Sequence, residues 1–355
     1  MIKIKPSVLH NRKMTYAREG ESSIRIDCSD GINDLLRPNC CCEANLANYP
    51  HGDRLQHAIC DWWRETAELT PEMLLLGNGS QQLLYLVNKL LVGPGSRVLG
   101  YTPQYSSYCS DVLFCGGSYR ATETAENYRF DGAALIAQLT GEDTLVYLDN
   151  PNNPTGQCIS PEEVENVVRA AEERNVCVFV DEAYGDYVTQ AESAVPLLAR
   201  YDNVIVSRTF SKAFGLAGLR LGYLAARPEV IRELKKLTTP YDGNTPAREL
   251  CCQVLEGTDF LPRLRSVVQQ TKEPLLQEPF LRLHIACTDS RVPILLLQHS
   301  RADFDLAAAL AQEGLGVVSG RSFYGMRENA VRLRVPQPQY LQEVLRILRR
   351  VDAQK

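Results

Sequence analysis

The feature that most constrains this chain is an alternation of short apolar runs with helical patterns through its middle. The apolar runs occupy residues 73–76, 97–100, 144–148, 176–180 and 203–206. Continuous apolar strands separated by helices are typical of parallel strands that are covered on both faces. One of the helices has a clear start, because Ser160, Pro161 and Glu163 form a capping-box pattern with proline at the first helical position. The pattern predicts an α/β domain on a mostly parallel sheet.

The last hundred residues follow a different pattern. Residues 292–297 predict a strand, the helical pattern after them stops at Gly314, and Gln339 to Val351 predict an amphipathic final helix. Residues 330–335 alternate, which predicts a strand with one wet face. We therefore predict a large domain over 45–240 and a smaller α+β domain made of 1–44 and 241–355.

Size and charge narrow the class of protein. A chain of 355 residues, 45% hydrophobic, can bury a large core. A net charge of -5 does not favour a nucleic-acid partner, and no apolar run approaches the ~20 residues that span a bilayer. Residues 1–13 lack the apolar core of a signal peptide. We expect a cytoplasmic protein without nucleic-acid or membrane partners.

The cysteines and histidines do not predict a metal site. The twelve cysteines include the adjacent Cys40, Cys41 and Cys42 but no CxxC pair, and the five histidines lack ligand spacing. We interpret the cysteines as reduced thiols that act mainly as small apolar side chains.

Polar residues follow the apolar runs at the points where ligands bind in an open α/β sheet, beyond the carboxyl ends of the strands. They form four segments, GNGSQ at 77–81, DNPNNPTG at 149–156, DEAY at 181–184 and SRTFSK at 207–212. Taken singly, each has an ordinary structural explanation: a turn, a helix cap or a surface lysine. Together they supply phosphate donors, a carboxylate, amides and a lysine, which are the groups that pyridoxal phosphate requires.

At these residues the sequence resembles the class I/II aminotransferases, which are fold type I pyridoxal-phosphate enzymes. It is most similar to their histidinol-phosphate aminotransferase-like and threonine-phosphate decarboxylase-like branch. The motifs are NPNNPTG at 150–156, DEAY at 181–184 and SRTFSKAFGLAGLRLGY at 207–223. The resemblance, which runs from about Ile24 to Leu348, implies a large seven-stranded-type sheet domain, a smaller α+β domain, and a homodimer with pyridoxal 5'-phosphate as cofactor.

The resemblance also implies catalytic roles. Lys212 would form the internal aldimine, and Asp181 would pair with the ring nitrogen of the cofactor. Asn153 and Tyr184 would hydrogen-bond the ring hydroxyl oxygen, and Tyr105 would stack on the ring. The freed Lys212 amine would then move a proton from the substrate Cα to the cofactor carbon, through a quinonoid intermediate.

The resemblance implies further cofactor contacts at the phosphate. The residues that would hold it are Ser80, Gln81, Thr209, Ser211 and Arg220. Tyr49 matches a tyrosine that reaches the phosphate of the partner subunit's cofactor, which is the reason for expecting shared sites in a homodimer.

The substrate residues are less determined. Arg332 matches the arginine that grips a substrate α-carboxylate, and Asn33 lies in the family's N-terminal substrate-facing segment. Arg334 replaces a small polar residue of the family and could also bind substrate or form a salt bridge. Ser319 aligns with an arginine of histidinol-phosphate aminotransferases, and Arg321 follows two residues later. We therefore expect histidinol phosphate not to be the main substrate.

The expected reaction is transamination of an amino acid or a related amine. Decarboxylation, cyclisation or oxidation on the same fold stays open, because these reactions differ in which Cα bond stands perpendicular to the cofactor ring. A cofactor-binding regulatory domain without catalysis is a further alternative, which the lack of a DNA-binding extension disfavours.

Overall fold

The structure is a computed structural model that describes residues 4–14, 23–44, 46–240, 243–257 and 259–354. The predicted domain boundaries at residues 45 and 241 lie outside the described residues. The strands are β1 (Ile26–Asp27), β2 (Leu74–Gly77), β3 (Arg97–Tyr101), β4 (Ser118–Thr122), β5 (Leu145–Asp149), β6 (Cys177–Asp181), β7 (Val204–Thr209), β8 (Gly222–Ala226), β9 (Leu283–Ile285), β10 (Ile294–His299), β11 (Leu315–Gly316), β12 (Val318–Ser319) and β13 (Ala330–Arg334). The helices are α1 (Pro6–Leu9), α2 (Arg54–Trp63), α3 (Gly79–Leu91), α4 (Ser106–Cys115), α5 (Gly132–Gln138), α6 (Pro161–Glu172), α7 (Pro228–Lys235), α8 (Thr245–Glu256), α9 (Phe260–Leu276), α10 (Leu306–Gln312) and α11 (Leu341–Asp352).

The large sheet has seven strands in the order β2-β8-β7-β6-β5-β3-β4. Strands β3 to β7 pair in parallel, and β8 runs antiparallel to both of its neighbours. Every residue of β5 and β7 is buried, and so is every residue of β6 except the half-buried Cys177, as expected for strands covered by helices on both faces. The mostly parallel α/β sheet expected from the sequence is confirmed.

Parallel pairing brings three predicted strand ends to one edge of this sheet. Asp149 at the end of β5 is in register with Asp181 at the end of β6, and Asp181 is in register with Ser207. The α6 helix that follows the β5 loop begins as predicted, with a reciprocal capping box between Ser160 and Glu163.

The second sheet has four strands in the order β12-β13-β10-β9 and packs one face on α10 and α11. The N-terminal strand β1 pairs in parallel with β11 of this smaller unit, whereas α1 packs against α4 of the large unit. The prediction of a wet face on residues 330–335 is wrong, because all of β13 is buried. Its two arginines are buried together with hydrogen-bond acceptors, which are Asn153 for Arg332 and Asp34 for Arg334.

The helices that follow residue 240 do not separate cleanly from the large unit. α8 packs against α2, and its buried Ala247 and Cys251 belong to the core of the large sheet. α8 thus packs with the large unit, and the boundary between residues 240 and 241 stays a prediction. Within the described ranges, no helix is long and apolar enough to cross a membrane.

Candidate active site

Polar side chains from the predicted strand ends line one cavity at the carboxyl edge of the large sheet. Its lining residues are Ser80, Gln81, Tyr105, Asp149, Pro151, Asn153, Asp181, Ala183, Tyr184, Ser211, Lys212 and Arg220. Nine of the residues predicted to bind the cofactor are in this set. Thr209 lies directly behind Ser211, with 3.0 Å between the two side-chain oxygens. Tyr49 is the exception, since it is 68% exposed and does not line the cavity.

Lys212 and Tyr184 face the N-terminal segment at Gly31. The Lys212 ammonium lies 5.4 Å from the centre of the Tyr184 ring. A Cβ at Gly31 would stand 2.0 Å from the Tyr184 hydroxyl and 3.7 Å from Lys212 Nζ, so only glycine fits there. The Tyr184 hydroxyl is buried and has no hydrogen-bond partner among the described residues. This orphaned group is available to a ligand beside Lys212.

Asp181 is a buried carboxylate held by three donors. Ser207 Oγ and the Ala183 N–H donate to its Oδ1 at 2.8 and 3.2 Å, and Tyr147 Oη donates to Oδ2 at 3.1 Å. Burial raises the pKa of Asp181 from 3.8 to about 6; the neighbouring Asp149 also raises it, whereas the hydrogen bonds lower it. A cationic partner in the cavity favours the ionised form of such a carboxylate.

Asp149 organises the two loops that border the cavity. Its Oδ1 accepts from Gln104 Nε2 and Asn152 Nδ2, both at 3.0 Å. Its Oδ2 accepts from the N–H groups of Tyr105 and Asn153 at 3.3 and 3.1 Å. One carboxylate thereby fixes the backbone positions of the predicted stacking tyrosine and the predicted ring-hydroxyl amide.

Three further lining residues, Ser80, Ser211 and Arg220, are suited to hold a phosphate. Ser80 lies in the first turn of α3, where N–H groups are unpaired and the helix dipole is positive. Arg220 Nη1 lies 3.5 Å from Ser211 Oγ. A Cβ at Gly79 would stand 2.6 Å from Arg220 Nη2, so the glycine lets the guanidinium approach the helix start. Hydroxyl, guanidinium and N–H donors together form an anion site.

Tyr105 borders the cavity from the start of α4. Its hydroxyl donates to Gln81 Oε1, which ties the ring to the first turn of α3. The two residues predicted to bind the cofactor are therefore in direct contact with each other.

Arg332 reaches the cavity wall from the small sheet. It is 1% exposed, and its Nη1 donates to Asn153 Oδ1 at 2.9 Å while Nη2 donates to the Ser29 carbonyl at 2.6 Å. The guanidinium also lies 5.8 Å from the centre of the Phe323 ring. Arg332 thus links the NPNNPTG loop with the N-terminal segment, next to the lining residue Asn153.

The other two predicted substrate residues are engaged within the protein. Arg334 forms a buried ion pair with Asp34 and donates to the Asp27 carbonyl at 2.6 Å. Asn33 donates to the carbonyls of Leu36 and Ala213 at 2.7 and 2.8 Å. Both anchor the segment that carries Gly31, and these contacts do not support a direct substrate role for either.

Ser319 and Arg321 lie at and near the position that aligns with an arginine of histidinol-phosphate aminotransferases. Ser319 is in register with Val331, which packs in the core of the small unit, whereas Arg332 is in register with Val318. Since alternate residues of a strand face opposite sides, Ser319 lies on the face opposite Arg332. Arg321 pairs with Glu328 at 3.0 Å, with 58% of its side chain exposed.

Sequence reasoning missed several residues of this site. Asp149 directly precedes the NPNNPTG motif and Pro151 lies inside it, and their position at the end of a buried strand was an available signal. Gly31 lies two residues before Asn33, in the N-terminal segment that the resemblance implied to face substrate, but its nearness to Tyr184 depends on packing between distant parts of the chain. Tyr147 sits inside an apolar run and gave no signal of a contact with Asp181.

The donors present fit pyridoxal phosphate. The ring nitrogen of the cofactor needs an anionic partner, which Asp181 supplies. Its phenolate oxygen needs a hydrogen-bond donor, which the orphaned Tyr184 hydroxyl supplies. Its phosphate needs hydroxyl and guanidinium donors, which Ser211 and Arg220 supply. Lys212 lines the same cavity and supplies the amine for an aldehyde. Fold and cavity together define the class of pyridoxal-phosphate enzymes of fold type I.

Comparisons with known proteins identify the family. Residues 43–348 match the family model for aminotransferase class I and II. The chain is 28% identical to a histidinol-phosphate aminotransferase of Bacillus velezensis, covering 90% of this chain and 87% of that one. It is 34% identical to a histidinol-phosphate aminotransferase 1 of Cupriavidus pinatubonensis over 80% and 75%. The structure matches the crystal structure of a histidinol-phosphate aminotransferase from Clostridium acetobutylicum with TM-score 0.79 and 22% identity, covering 92% and 99%.

The chain belongs to the class I and II aminotransferase family. It is a pyridoxal-phosphate-dependent aminotransferase that acts on an amino acid or a related amine.

Proposed function

We propose that the chain transfers the amino group of an α-amino acid to a 2-oxo acid, with Lys212 as the cofactor lysine and Arg332 as the carboxylate-binding arginine. The observation that carries this proposal is that Arg332 Nη1 bonds Asn153 Oδ1 at the wall of the cavity lined by Lys212. A substrate whose carboxylate binds Arg332 would therefore lie beside Asn153, which lines the same cavity as Lys212.

The cofactor supplies an aldehyde that condenses with the substrate amine and a ring that takes up the electrons of a Cα bond. Asp181 keeps a negative charge at the ring-nitrogen end, and its three donors stabilise that charge. Lys212 Nζ holds and moves the Cα proton as general base and acid. The Tyr184 hydroxyl and the Asn153 amide would hold the phenolate oxygen of the cofactor as hydrogen-bond donors.

Arg332 also sets the orientation of Asn153. Because Asn153 Oδ1 accepts from Arg332 Nη1, the amide nitrogen is the end that can donate to a phenolate oxygen. A planar guanidinium binds a carboxylate through two parallel hydrogen bonds and so fixes which Cα bond stands upright. We therefore propose proton abstraction from Cα, and not loss of the carboxylate.

Histidinol phosphate is the second candidate substrate, because relatives that cover most of this chain carry the name histidinol-phosphate aminotransferase. Two observations disfavour it. Arg334 is paired with Asp34, and Arg321 is paired with Glu328, so both guanidinium charges are already balanced by carboxylates. The phosphate of histidinol phosphate would then have Arg332 as its main cationic partner among these three arginines.

We also propose that the active unit is a cytoplasmic homodimer. Tyr49 is 68% exposed, which suits a side chain that contributes to a neighbouring subunit's site. Its position beyond the cavity of its own chain is consistent with the shared-site arrangement implied by the family resemblance.

The direct test is product analysis after incubating the holoenzyme with a panel of amino acids and 2-oxo acids. We expect a 2-oxo acid from the donor, an equal amount of new amino acid, and no carbon dioxide. Release of carbon dioxide with an amine product would contradict transamination.

A matched pair of variants tests the arginine assignment. Arg332→Gln should raise KM for α-amino acids by roughly tenfold to a hundredfold, since a hydrogen bond to a charged group contributes about 1.5–3 kcal/mol. Arg321→Gln, at an exposed position, should leave KM for the same substrates unchanged. Equal KM values in wild type and Arg332→Gln would overturn the assignment.

A further inference from the structure

Lys272 on α9 is a fully buried lysine outside the cavity. It is 0% exposed, and its Nζ lies 2.6 Å from Thr288 Oγ1 and 2.7, 2.7 and 2.9 Å from the carbonyl oxygens of Asp289, Val292 and Ile294. We call these four oxygens the oxygen cage. An ammonium has three N–H donors for them, whereas an uncharged amine has only two. The cage therefore fits the charged form.

The charge of Lys272 has no ionic partner in contact among the described residues. The nearby Asp289 carboxylate is instead paired with Arg291 at 2.6 Å. Burial lowers the pKa of Lys272 to about 7, and Asp289 partly offsets that effect. An unpaired buried charge is costly, and a buried lysine that served only packing would be better replaced by an apolar side chain.

The cage lies directly against the loop that carries Asn153. A Cβ at Gly156 would stand 2.2 Å from Ile294 O and 2.8 Å from Thr288 Oγ1, and the Asp289 N–H donates to the Gly156 carbonyl at 3.0 Å. Two of the four oxygens around Lys272, Ile294 O and Thr288 Oγ1, thus pack against Gly156, the last residue of the NPNNPTG loop. Without a cation, four converging oxygen dipoles repel one another.

The cage also begins the strand that positions Arg332. Ile294 is the first residue of β10, and Leu296, two residues later, is paired with Arg332 on β13. Arg332 and Asn153 meet at 2.9 Å. Both partners of this contact are therefore fixed relative to the oxygen cage, one through β10 and the other through the loop that ends at Gly156.

The size and charge of the cage indicate which free ions could replace the ammonium. Its oxygens are three carbonyls and a hydroxyl, all neutral, at 2.6 to 2.9 Å. Magnesium and calcium require distances of about 2.0–2.6 Å and prefer carboxylates. Neutral carbonyl oxygens at longer distances suit potassium or ammonium.

We propose that Lys272 is a positioning residue that acts as a tethered monovalent cation, holding the Asn153 loop and the Arg332 strand in register for substrate binding. Removing its ammonium leaves a site for potassium, ammonium or a primary alkylammonium ion. The effect on KM rests on the proposed role of Arg332, whereas cation binding by the cage does not.

The test compares the Lys272→Ala holoenzyme in tetramethylammonium chloride with the same ionic strength of potassium, ammonium or n-propylammonium chloride. n-Propylammonium supplies the three carbons and the nitrogen that the substitution removes. In tetramethylammonium we expect a lowered Tm and a KM raised about tenfold or more for the best amino acid of the panel, with a smaller change in kcat. Potassium, ammonium and n-propylammonium should each move Tm and KM back towards the wild-type values.

Three controls separate a cation role from simple packing. Lys272→Met replaces the lysine with an uncharged side chain of similar length, and its Tm and KM should respond to none of the cations. Lys89→Ala, an exposed lysine on α3, should match wild type in every salt. Thr288→Val removes one cage oxygen and should raise KM severalfold while Lys272 remains.

The contradicting results are specific. A Lys272→Ala enzyme whose Tm is the same in all salts overturns the cage, and so does an insoluble variant whose yield does not recover with n-propylammonium. Restored Tm with KM equal to wild type throughout overturns the positioning role. If Arg332→Gln leaves KM unchanged but Lys272→Ala still shows the cation-dependent Tm, the proposed substrate role of Arg332 fails and the cage stands.

Discussion

Asp181→Asn should make the apoprotein more stable while it removes most of the activity. Asp181 is 4% exposed, and burial raises its pKa from 3.8 to about 6. A rise of about two pKa units corresponds to about 3 kcal/mol of unfavourable free energy once the group is ionised. Asparagine is uncharged at every pH, so the variant does not carry this unfavourable free energy.

The substitution keeps every hydrogen bond of the site. Asparagine Oδ1 can accept from Ser207 Oγ and the Ala183 N–H, and its Nδ2 can donate to Tyr147 Oη in place of the bond that Asp181 accepts. No cavity is formed, because the two side chains have nearly the same volume. The charge is therefore the main difference between the two proteins.

The pH dependence has a definite sign. Because the pKa of Asp181 is higher in the folded apoprotein than in the unfolded chain, the folded state binds more protons between pH 3.8 and about 6. The wild-type apoprotein therefore loses stability relative to Asp181→Asn as pH rises through this window. The difference should be near zero at pH 4 and about 3 kcal/mol above pH 7.

The assay is urea denaturation of both apoproteins across this pH range, followed by kinetics of both holoenzymes. Asp181→Asn should lose several orders of magnitude in kcat, since a neutral amide does not keep the ring nitrogen protonated. A variant apoprotein that is less stable than wild type at pH 8 would refute the electrostatic reasoning. A kcat near that of wild type would refute the role of Asp181.

Three further predictions follow from the site. Lys212→Ala should lose the visible absorbance of the lysine-bound cofactor and nearly all turnover; a borohydride-reducible bond to the protein in this variant would show another lysine in the role. Mixing Lys212→Ala with Tyr49→Phe should give hybrid dimers with one intact site and partial activity, and a fully active monomer in sedimentation would exclude shared sites. Histidinol phosphate should not lead the amino-acid panel in kcat/KM; a wide lead would mean that Arg321 or Arg334 leaves its carboxylate partner to bind phosphate.

The residues at the strand ends could be predicted from the sequence because their positions follow from local patterns. Apolar runs mark the strands, parallel connection places their carboxyl ends together, and the residues after each run must then meet. Lys212, Asp181 and Ser211 line one cavity for this reason. The start of α6 was equally local, since a capping box involves residues three apart.

The rest depended on contacts between residues far apart in the chain. Arg334 is 300 positions from Asp34, and alternation on β13 gave no sign that the strand would be covered on both faces. Lys272 carries no local signal, because the four oxygens around it belong to residues 288–294, at least 16 positions further along the chain. Tertiary packing decided these cases, and a single sequence does not display it.

The most direct test of the account is to identify the lysine that binds the cofactor. The holoenzyme is reduced with sodium borohydride, digested, and mapped by mass spectrometry. The account predicts one modified peptide, with the mass of the reduced cofactor on Lys212, the lysine that lines the cavity with Asp181 and Tyr184. Cofactor mass on any other lysine, or on none, would contradict the central assignment.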